Sequence, residues 1–229
     1  MKLKMKLKMK LKMKLTTLSL LTALGGTSYA QTPMHVTIAL DGSSSNPNEV
    51  KTFRDAAATH SKVVVSGLKS GDTVAVMTFG DGGLSNFQLT RRVKLSARMR
   101  PSQVGAALEK AIIAKAEEAA KNPQNETRLM SFLEESHREF QCASGNAKVI
   151  VYTDGIEHSA ELTGKQFVLD KKPLPDPTPG ILSGCHVEFI GVGLGVNGAL
   201  QRPEKRHITD AWSAWMERAG ATFEARSNL

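Results

Sequence analysis

Short apolar runs alternate along the chain with segments whose apolar residues recur at helical spacing. Strands are predicted at runs rich in apolar and β-branched residues, namely 34–40, 73–79, 148–153 and 186–192, with a closing strand at 221–225. Helices are predicted at 48–66, 103–121, 126–140 and 209–219, and a half-exposed edge strand at 86–95. The runs 148–153 and 186–192 are nearly continuous, as in parallel strands that helices cover on both faces. The pattern predicts a doubly wound α/β fold, with a mostly parallel sheet, one antiparallel edge strand and helices on both faces.

Residues 1–30 have the layout of a cleavable secretory signal. A lysine-rich beginning precedes an apolar stretch of about a dozen residues, and Ser28 and Ala30 are the small residues expected before a cleavage point at Gln31. The apolar stretch is shorter than the ~20 residues that span a bilayer, and no cysteine at the cleavage point offers a lipid anchor. We expect a periplasmic or secreted protein whose residues 31–229 form a single domain, without stable membrane insertion.

The net charge gives no reason to expect nucleic acid as a partner. The whole chain has 30 Lys and Arg against 22 Asp and Glu. Residues 1–30 contain seven of the lysines and no acid, so residues 31–229 carry 23 basic and 22 acidic side chains. A nucleic-acid-binding domain would show a basic surplus. The basic run Arg91, Arg92, Lys94, Arg98 and Arg100 fits a solvated edge, which would attract an acidic partner if it lay near a metal.

Cys142 and Cys185 are the two cysteines of the chain. An even count in an exported protein favours one disulfide, because thiols pair in an oxidising compartment. Two buried free thiols are the alternative. Each cysteine precedes one of the two nearly continuous apolar strands, so we expect both at the amino ends of neighbouring strands.

Two carboxylates follow predicted strands directly. Asp41 comes after VTIAL and Asp154 after VIVYT, and ligands of open α/β sheets collect at the carboxyl ends of strands. Ser43 and Ser45 lie two and four residues after Asp41, so their side chains can turn toward the same crevice. Carboxylates and hydroxyls are hard oxygen ligands, which suit Mg²⁺, Mn²⁺ or Ca²⁺ better than zinc. Helix capping by the same polar residues is the alternative.

These residues resemble the metal-ion-dependent adhesion site of von Willebrand factor type A domains. That family has D-x-S-x-S after its first strand, a threonine on a separate loop, and an aspartate in a T-D-G context after its fourth strand. Asp41, Ser43 and Ser45 match the first element, and Asp154 matches the last. Ser102, shortly before GAAL at 105–108, stands where the family has threonine. The resemblance extends from about residue 35 to residue 225.

The resemblance implies a protein that binds a protein partner through Mg²⁺, Mn²⁺ or Ca²⁺ and catalyses no reaction. Asp41, Ser43, Ser45 and Ser102 would hold the cation, with Asp154 in or beside its coordination sphere. An acidic side chain of the partner would take the open position. Two alternatives remain: a structural subunit of an envelope or secretion assembly with a vestigial metal site, and a metal-assisted phosphoester hydrolase.

Two further motifs are weaker. Residues 193–198 fit G-x-G-x-x-G, but Pro203 is expected to interrupt the helix that a dinucleotide site would need. Four prolines at every second position of 173–179 exclude a helix there and predict a stiff surface loop. An arm that recognises a partner is the alternative for this loop.

Overall fold

The computed structural model describes residues 32–47, 50–80, 88–89 and 92–228. The expected signal, residues 1–30, lies outside this part, as do Arg91 and much of the predicted edge strand at 86–95. In the described part, no helix is long and apolar enough to cross a membrane.

A mixed sheet forms the centre of the fold. Five parallel strands lie in the order β2-β1-β5-β6-β9, with bounds β1 His35–Asp41, β2 Thr73–Phe79, β5 Ala147–Tyr152, β6 Cys185–Ile190 and β9 Thr222–Arg226. Two short strands, β3 (Gln88–Leu89) and β4 (Val93–Lys94), pair antiparallel with β2. The predicted sheet, mostly parallel with an antiparallel edge, is therefore confirmed.

Helices cover both faces of the sheet. On one face, α1 (Lys51–Ser66) and α2 (Pro101–Lys121) pack over a hydrophobic cluster that includes Ile38, Phe53 and Ile112. On the other face, α3 (Leu129–Glu135), α4 (His137–Phe140), α5 (Gly164–Val168) and α6 (Arg202–Ala219) contribute to a cluster with Ala39 and Phe189. Successive β1 residues enter different clusters because side chains alternate across a strand. The doubly wound α/β class is confirmed.

Two helix predictions need correction. The last helix begins at Arg202, not at residue 209, and Pro203 lies in its first turn. Proline is tolerated there because a first-turn N–H has no partner within the helix, so Pro203 starts α6 instead of interrupting it. The predicted helix 126–140 is divided into α3 and α4 at Ser136, and Gln141 ends α4 in a left-handed conformation with φ of 60°.

Residues 193–198 form no nucleotide loop. They build a two-stranded hairpin, β7 (Leu194–Gly195) and β8 (Gly198–Ala199), so no helix begins directly after the glycines. The proline segment forms neither a helix nor a strand, and its own residues contact the rest of the domain. Leu174 is buried, Thr178 N donates to Glu134 at 2.6 Å, and Arg218 pairs with Asp176 at 3.0 Å.

Cys142 and Cys185 form a disulfide, as predicted. Cys185 is the first residue of β6, and Cys142 lies in a short 3₁₀ turn ahead of β5. Because β5 and β6 are neighbours, the bond joins the amino ends of two central strands. This amino edge of the sheet is opposite the carboxyl edge at which Asp41 and Asp154 lie.

Candidate functional site

Adjacent parallel strands bring Asp41 and Asp154 to the same edge of the sheet. Asp41 is the last residue of β1, and Asp154 follows β5 by two residues. The register aligns Leu40 with Tyr152, so the two chains end level with each other. Both aspartates are fully buried. The Thr153 hydroxyl donates to Asp41 Oδ2 at 2.7 Å, which fixes the loop after β5 against the end of β1.

The serine-rich loop folds back over these strand ends. Ser43 N donates to Asp41 Oδ1 at 2.8 Å, and the hydroxyls of Ser43 and Ser45 lie 3.2 Å apart. Ser44, between them, is exposed. Asn46 Nδ2 donates to the carbonyl of Tyr152 at 3.0 Å, which holds the loop against the end of β5. Alternate side chains of this loop therefore turn inward together.

Burial makes both aspartates harder to ionise. It raises the pKa of Asp41, although hydrogen bonds from Thr153, Ser43 and Asn46 oppose the rise. The pKa of Asp154 is raised to about 7, first by burial and then by the charge of Asp41. The N–H of Ile156, 2.9 Å from Asp154 Oδ1, offsets part of that effect. The ionisation of either buried carboxylate therefore disfavours the ionisation of the other.

Several buried oxygens at this edge have no hydrogen bond in the described part of the chain. Two of them, Asp154 Oδ2 and Asn46 Oδ1, belong to the loops that carry the candidate ligands. A buried polar atom without a partner is costly, so these oxygens are acceptors that a bound water or cation would satisfy. The described residues contain no group of three or more His, Cys, Asp or Glu side chains arranged for a metal. The donor set here is instead two carboxylates with hydroxyl and amide oxygens, which fits a hard cation.

The assignment of Ser102 as a fourth member of this group needs correction. Ser102 is exposed in the first turn of α2, which runs antiparallel to α1 through the ion pairs Arg54–Glu117 and Lys62–Glu109. A Cβ at Gly105 would lie 2.9 Å from the Lys62 carbonyl, near the end of α1. Ser102 therefore lies at the amino edge. The strands between the two edges span roughly 20 Å, so Ser102 is out of reach of Asp41.

The loop between α2 and α3 reaches the carboxyl edge instead. Gln124 forms a parallel bridge with Ser43: Ser44 N donates to the Gln124 carbonyl at 2.8 Å, and Gln124 N donates to the Gly42 carbonyl at 3.1 Å. Three residues later, Thr127 is buried. Its backbone forms two hydrogen bonds with His158, of 2.9 and 3.0 Å. This loop thus joins the loops that carry Asp41 and Asp154.

A third buried carboxylate, Glu157, was missed by the sequence analysis. Its Oε2 accepts the N–H of Met130, in the first turn of α3, at 3.0 Å, and its Oε1 is buried without a hydrogen bond in the described part. Burial is the main cause that raises the pKa of Glu157 to about 7, and the Asp41 charge adds a smaller contribution. Glu157 stands in a loop without periodic apolar spacing, so no local pattern marks it as buried.

A cavity of about 210 Å³ opens beside Asp41. It lies between the ends of β1 and β2 and the last turns of α2, with Thr78, Gln124 and Lys115 in its wall. Lys115 pairs with Glu118 at 2.8 Å across the rim. Asp41 lines this cavity, whereas Ser43, Ser45 and Asp154 do not.

No protein-family model matches the sequence, and no curated protein matches it. A solved von Willebrand factor type A structure resembles this fold. It comes from Catenulispora acidiphila, with a TM-score of 0.48 and 18% identity, over 85% of this chain and 39% of that one. The pilus adhesin SpaC of Lactobacillus rhamnosus GG is similar with a TM-score of 0.48 and 14% identity, over 87% of this chain and 29% of that one. The chain thus spans well under half of each.

The manganese-loaded TRAP protein of Plasmodium vivax is also similar in fold. The TM-score is 0.40 and the identity 16%, and the match covers 85% of this chain and 69% of that protein.

Proposed function

We propose that this protein is an exported, metal-dependent protein-binding module of the von Willebrand factor type A kind, and not an enzyme. Asp41, Ser43, Ser45 and Asp154 would hold one Mg²⁺, with Mn²⁺ or Ca²⁺ as alternatives. The single observation that carries the proposal is the pair of fully buried carboxylates, one of which keeps an oxygen that no described residue hydrogen-bonds. A bound cation would supply the positive charge that this pair lacks and an open position for an acidic side chain of the partner.

The donor set supports an external acidic ligand. The two carboxylates only balance the charge of a divalent cation, and the hydroxyls add no negative charge. The cation therefore retains affinity for an oxygen anion. The chain's own residues orient this site: Thr153 and Ser43 N fix Asp41, and Ile156 N fixes Asp154.

Thr127 is the residue that we propose in place of Ser102. Thr127 is buried, and its backbone is bonded to the loop that carries Asp154. Its neighbour Gln124 is bonded to the loop that carries Ser43. A hydroxyl in this position comes from a third loop, as the family resemblance implies for a threonine.

The same contacts argue against a phosphoester hydrolase that uses Asp41 as nucleophile. Both Asp41 oxygens accept hydrogen bonds, from Ser43 N and from the Thr153 hydroxyl, and these bonds lower the nucleophilicity of the carboxylate. His158, the histidine that follows Asp154 by four residues, is exposed. Its backbone is committed to Thr127.

Calorimetric titration with Mg²⁺, Mn²⁺ and Ca²⁺ tests the proposal. The sample is residues 31–229, because Thr32–Leu229 form a compact unit that contains the described sheet and both described hydrophobic clusters. We expect one cation per chain, and at least about tenfold weaker binding by Asp154→Asn. Ser102→Ala is the matched control and should bind as the unmodified protein does.

Asp154→Asn should also be at least as stable as the unmodified protein without metal at pH 8, because it removes a buried charge.

Three outcomes would contradict the proposal. They are the absence of cation binding, equal losses in Asp154→Asn and Ser102→Ala, and metal-dependent turnover of p-nitrophenyl phosphate that Asp41→Asn abolishes. A partner recovered by this protein must bind in Mg²⁺, leave in EDTA, and bind Ser102→Ala but not Asp154→Asn.

A further inference from the structure

An exposed basic surface lies at the amino edge of the sheet, far from the candidate metal site. We call it the amino-edge patch and define it by Lys69, Lys94, Arg98, Met99 and Arg100, all of which are exposed. Lys94 pairs in β4 with Thr73, the first residue of β2, and α2 begins directly after Arg100. The basic run of the sequence is thus placed away from Asp41 and does not help to attract a ligand to the site.

Three cations of the amino-edge patch carry charges that no described acidic side chain pairs with. Within the described ranges, Lys94, Arg98 and Arg100 form no ion pair. Asp72, the nearest acid along the chain, accepts the backbone N–H groups of Met34 and Lys69 with its two oxygens. The sequence has no Asp or Glu between Asp81 and Glu109. Residues 31–229 are almost neutral in total, so this edge holds a local surplus of positive charge.

The patch also exposes the apolar side chain of Met99, which a hydrogen-bonded turn carries. Met99, 45% exposed, stands between Arg98 and Arg100 on a turn closed by two 3.1 Å hydrogen bonds with Ser96. Val63, 65% exposed, belongs to the last turns of α1 near the same edge. Cations around an apolar tip fit the boundary of a lipid layer, where phosphates meet the cations and the apolar side chain leaves water. A soluble polyanion would use the charges only.

We propose that the amino-edge patch docks this domain on an anionic phospholipid surface. Lys94, Arg98 and Arg100 contact the headgroup phosphates, and Met99 enters the headgroup layer. In this orientation the carboxyl edge, with Asp41 and Asp154, faces away from the lipid and stays open to a partner. The contact is independent of metal and of the function proposed above.

Vesicle co-sedimentation of residues 31–229 tests the proposal, because the seven lysines of the signal would bind lipid by themselves. Vesicles of phosphatidylglycerol with phosphatidylcholine are compared with phosphatidylcholine alone, at low and physiological salt, in EDTA. We expect binding to the anionic vesicles only, and weaker binding at higher salt.

The triple variant Lys94→Gln, Arg98→Gln, Arg100→Gln should bind the anionic vesicles about a hundredfold more weakly, roughly fivefold per charge removed. The control variant Lys121→Gln, Lys171→Gln, Lys172→Gln removes three exposed charges elsewhere and should lose less than about threefold.

Circular dichroism of both variants checks that each remains folded. The proposal is overturned if anionic vesicles do not bind the protein, or if both variants lose binding equally. It is also overturned if binding requires Mg²⁺, since the contact would then go through the carboxyl edge. Binding of heparin at the patch without binding of vesicles would assign the surface to a soluble polyanion instead.

Discussion

At the scale of single residues, the carboxyl edge holds three buried carboxyl groups whose ionisation is unfavourable. Asp41, Asp154 and Glu157 are buried together, and burial is the largest cause of the raised pKa of each. A folded-state pKa above the unfolded value means that the native protein keeps a proton that the unfolded chain releases. The free energy of unfolding therefore falls as the pH rises between these two values.

Glu157→Gln should remove part of this pH dependence. The pKa of Glu157 is about 7 in the folded protein and 4.5 in the reference state, so its contribution is fully present below pH 4.5 and is lost by pH 7. Glutamine keeps an acceptor for Met130 N and carries no charge. Urea unfolding should give similar stabilities near pH 4.5, and at pH 8 a variant more stable by roughly 3 kcal/mol at most.

Glu161→Gln, at an exposed position three residues or more from these groups, is the control and should change little at either pH. A stability difference for Glu157→Gln that is the same at both pH values would contradict the explanation.

At the scale of elements, the loop between α2 and α3 connects the two loops of the candidate site. Backbone bonds through Gln124 join it to the serine-rich loop, and backbone bonds through Thr127 join it to the loop after β5. Glu157 adds a side-chain bond to the start of α3. Since the backbone fixes this loop, the Thr127 hydroxyl can be removed without releasing the loop.

Thr127→Val should weaken Mg²⁺ binding about tenfold or more, because valine keeps the shape of threonine and lacks the hydroxyl. Thr127→Ser keeps the hydroxyl and should stay within about threefold of the unmodified protein. Calorimetry at fixed pH measures both. Equal affinities of the valine and serine variants would remove Thr127 from the proposed site.

At the scale of the whole molecule, the stabilising disulfide and the candidate site lie at opposite edges of the sheet. The disulfide lies at the amino edge and joins cysteines that are 43 residues apart in sequence. It stabilises the fold because it restricts the conformations of the unfolded chain. Asp41 and Asp154 lie at the other end of the same strands, with no contact to the cysteines.

Cys142→Ala with Cys185→Ala should lower the free energy of unfolding by about 4 kcal/mol on the chain-entropy estimate. Cation affinity, measured well below the unfolding temperature, should remain unchanged. A loss of affinity in the folded variant would show that the two edges are coupled through β5 and β6.

The fold class, and the meeting of Asp41, Ser43, Ser45 and Asp154 at one edge of the sheet, could be predicted from the sequence because their signals are local. Apolar runs mark strands through alternation and length, and Asp41, Ser43, Ser45 and Asp154 directly follow two of those runs. Parallel neighbours end at the same edge, so residues that follow them meet. The disulfide could be predicted for the same reason, as each cysteine precedes one of two neighbouring strands.

Ser102 was misplaced because its position depends on the direction of the chain. The antiparallel strands beside β2 pair first with Met77 and Thr78 and then with Thr73 and Val74, so they return the chain to the amino edge before α2 begins. The predicted edge strand already implied this return to the amino edge. The family motif that pointed to Ser102 contains no information about the direction of the chain.

The sequence by itself thus determined the five parallel strands, most of the longer helices and the residues that leave the strands at one edge, since these follow from local periodicity. Only the tertiary structure decided which distant loops meet there. Gln124 and Thr127 join their partner loops through backbone bonds, and the Glu157 side chain accepts the Met130 N–H. No local pattern encodes these contacts between segments far apart in sequence.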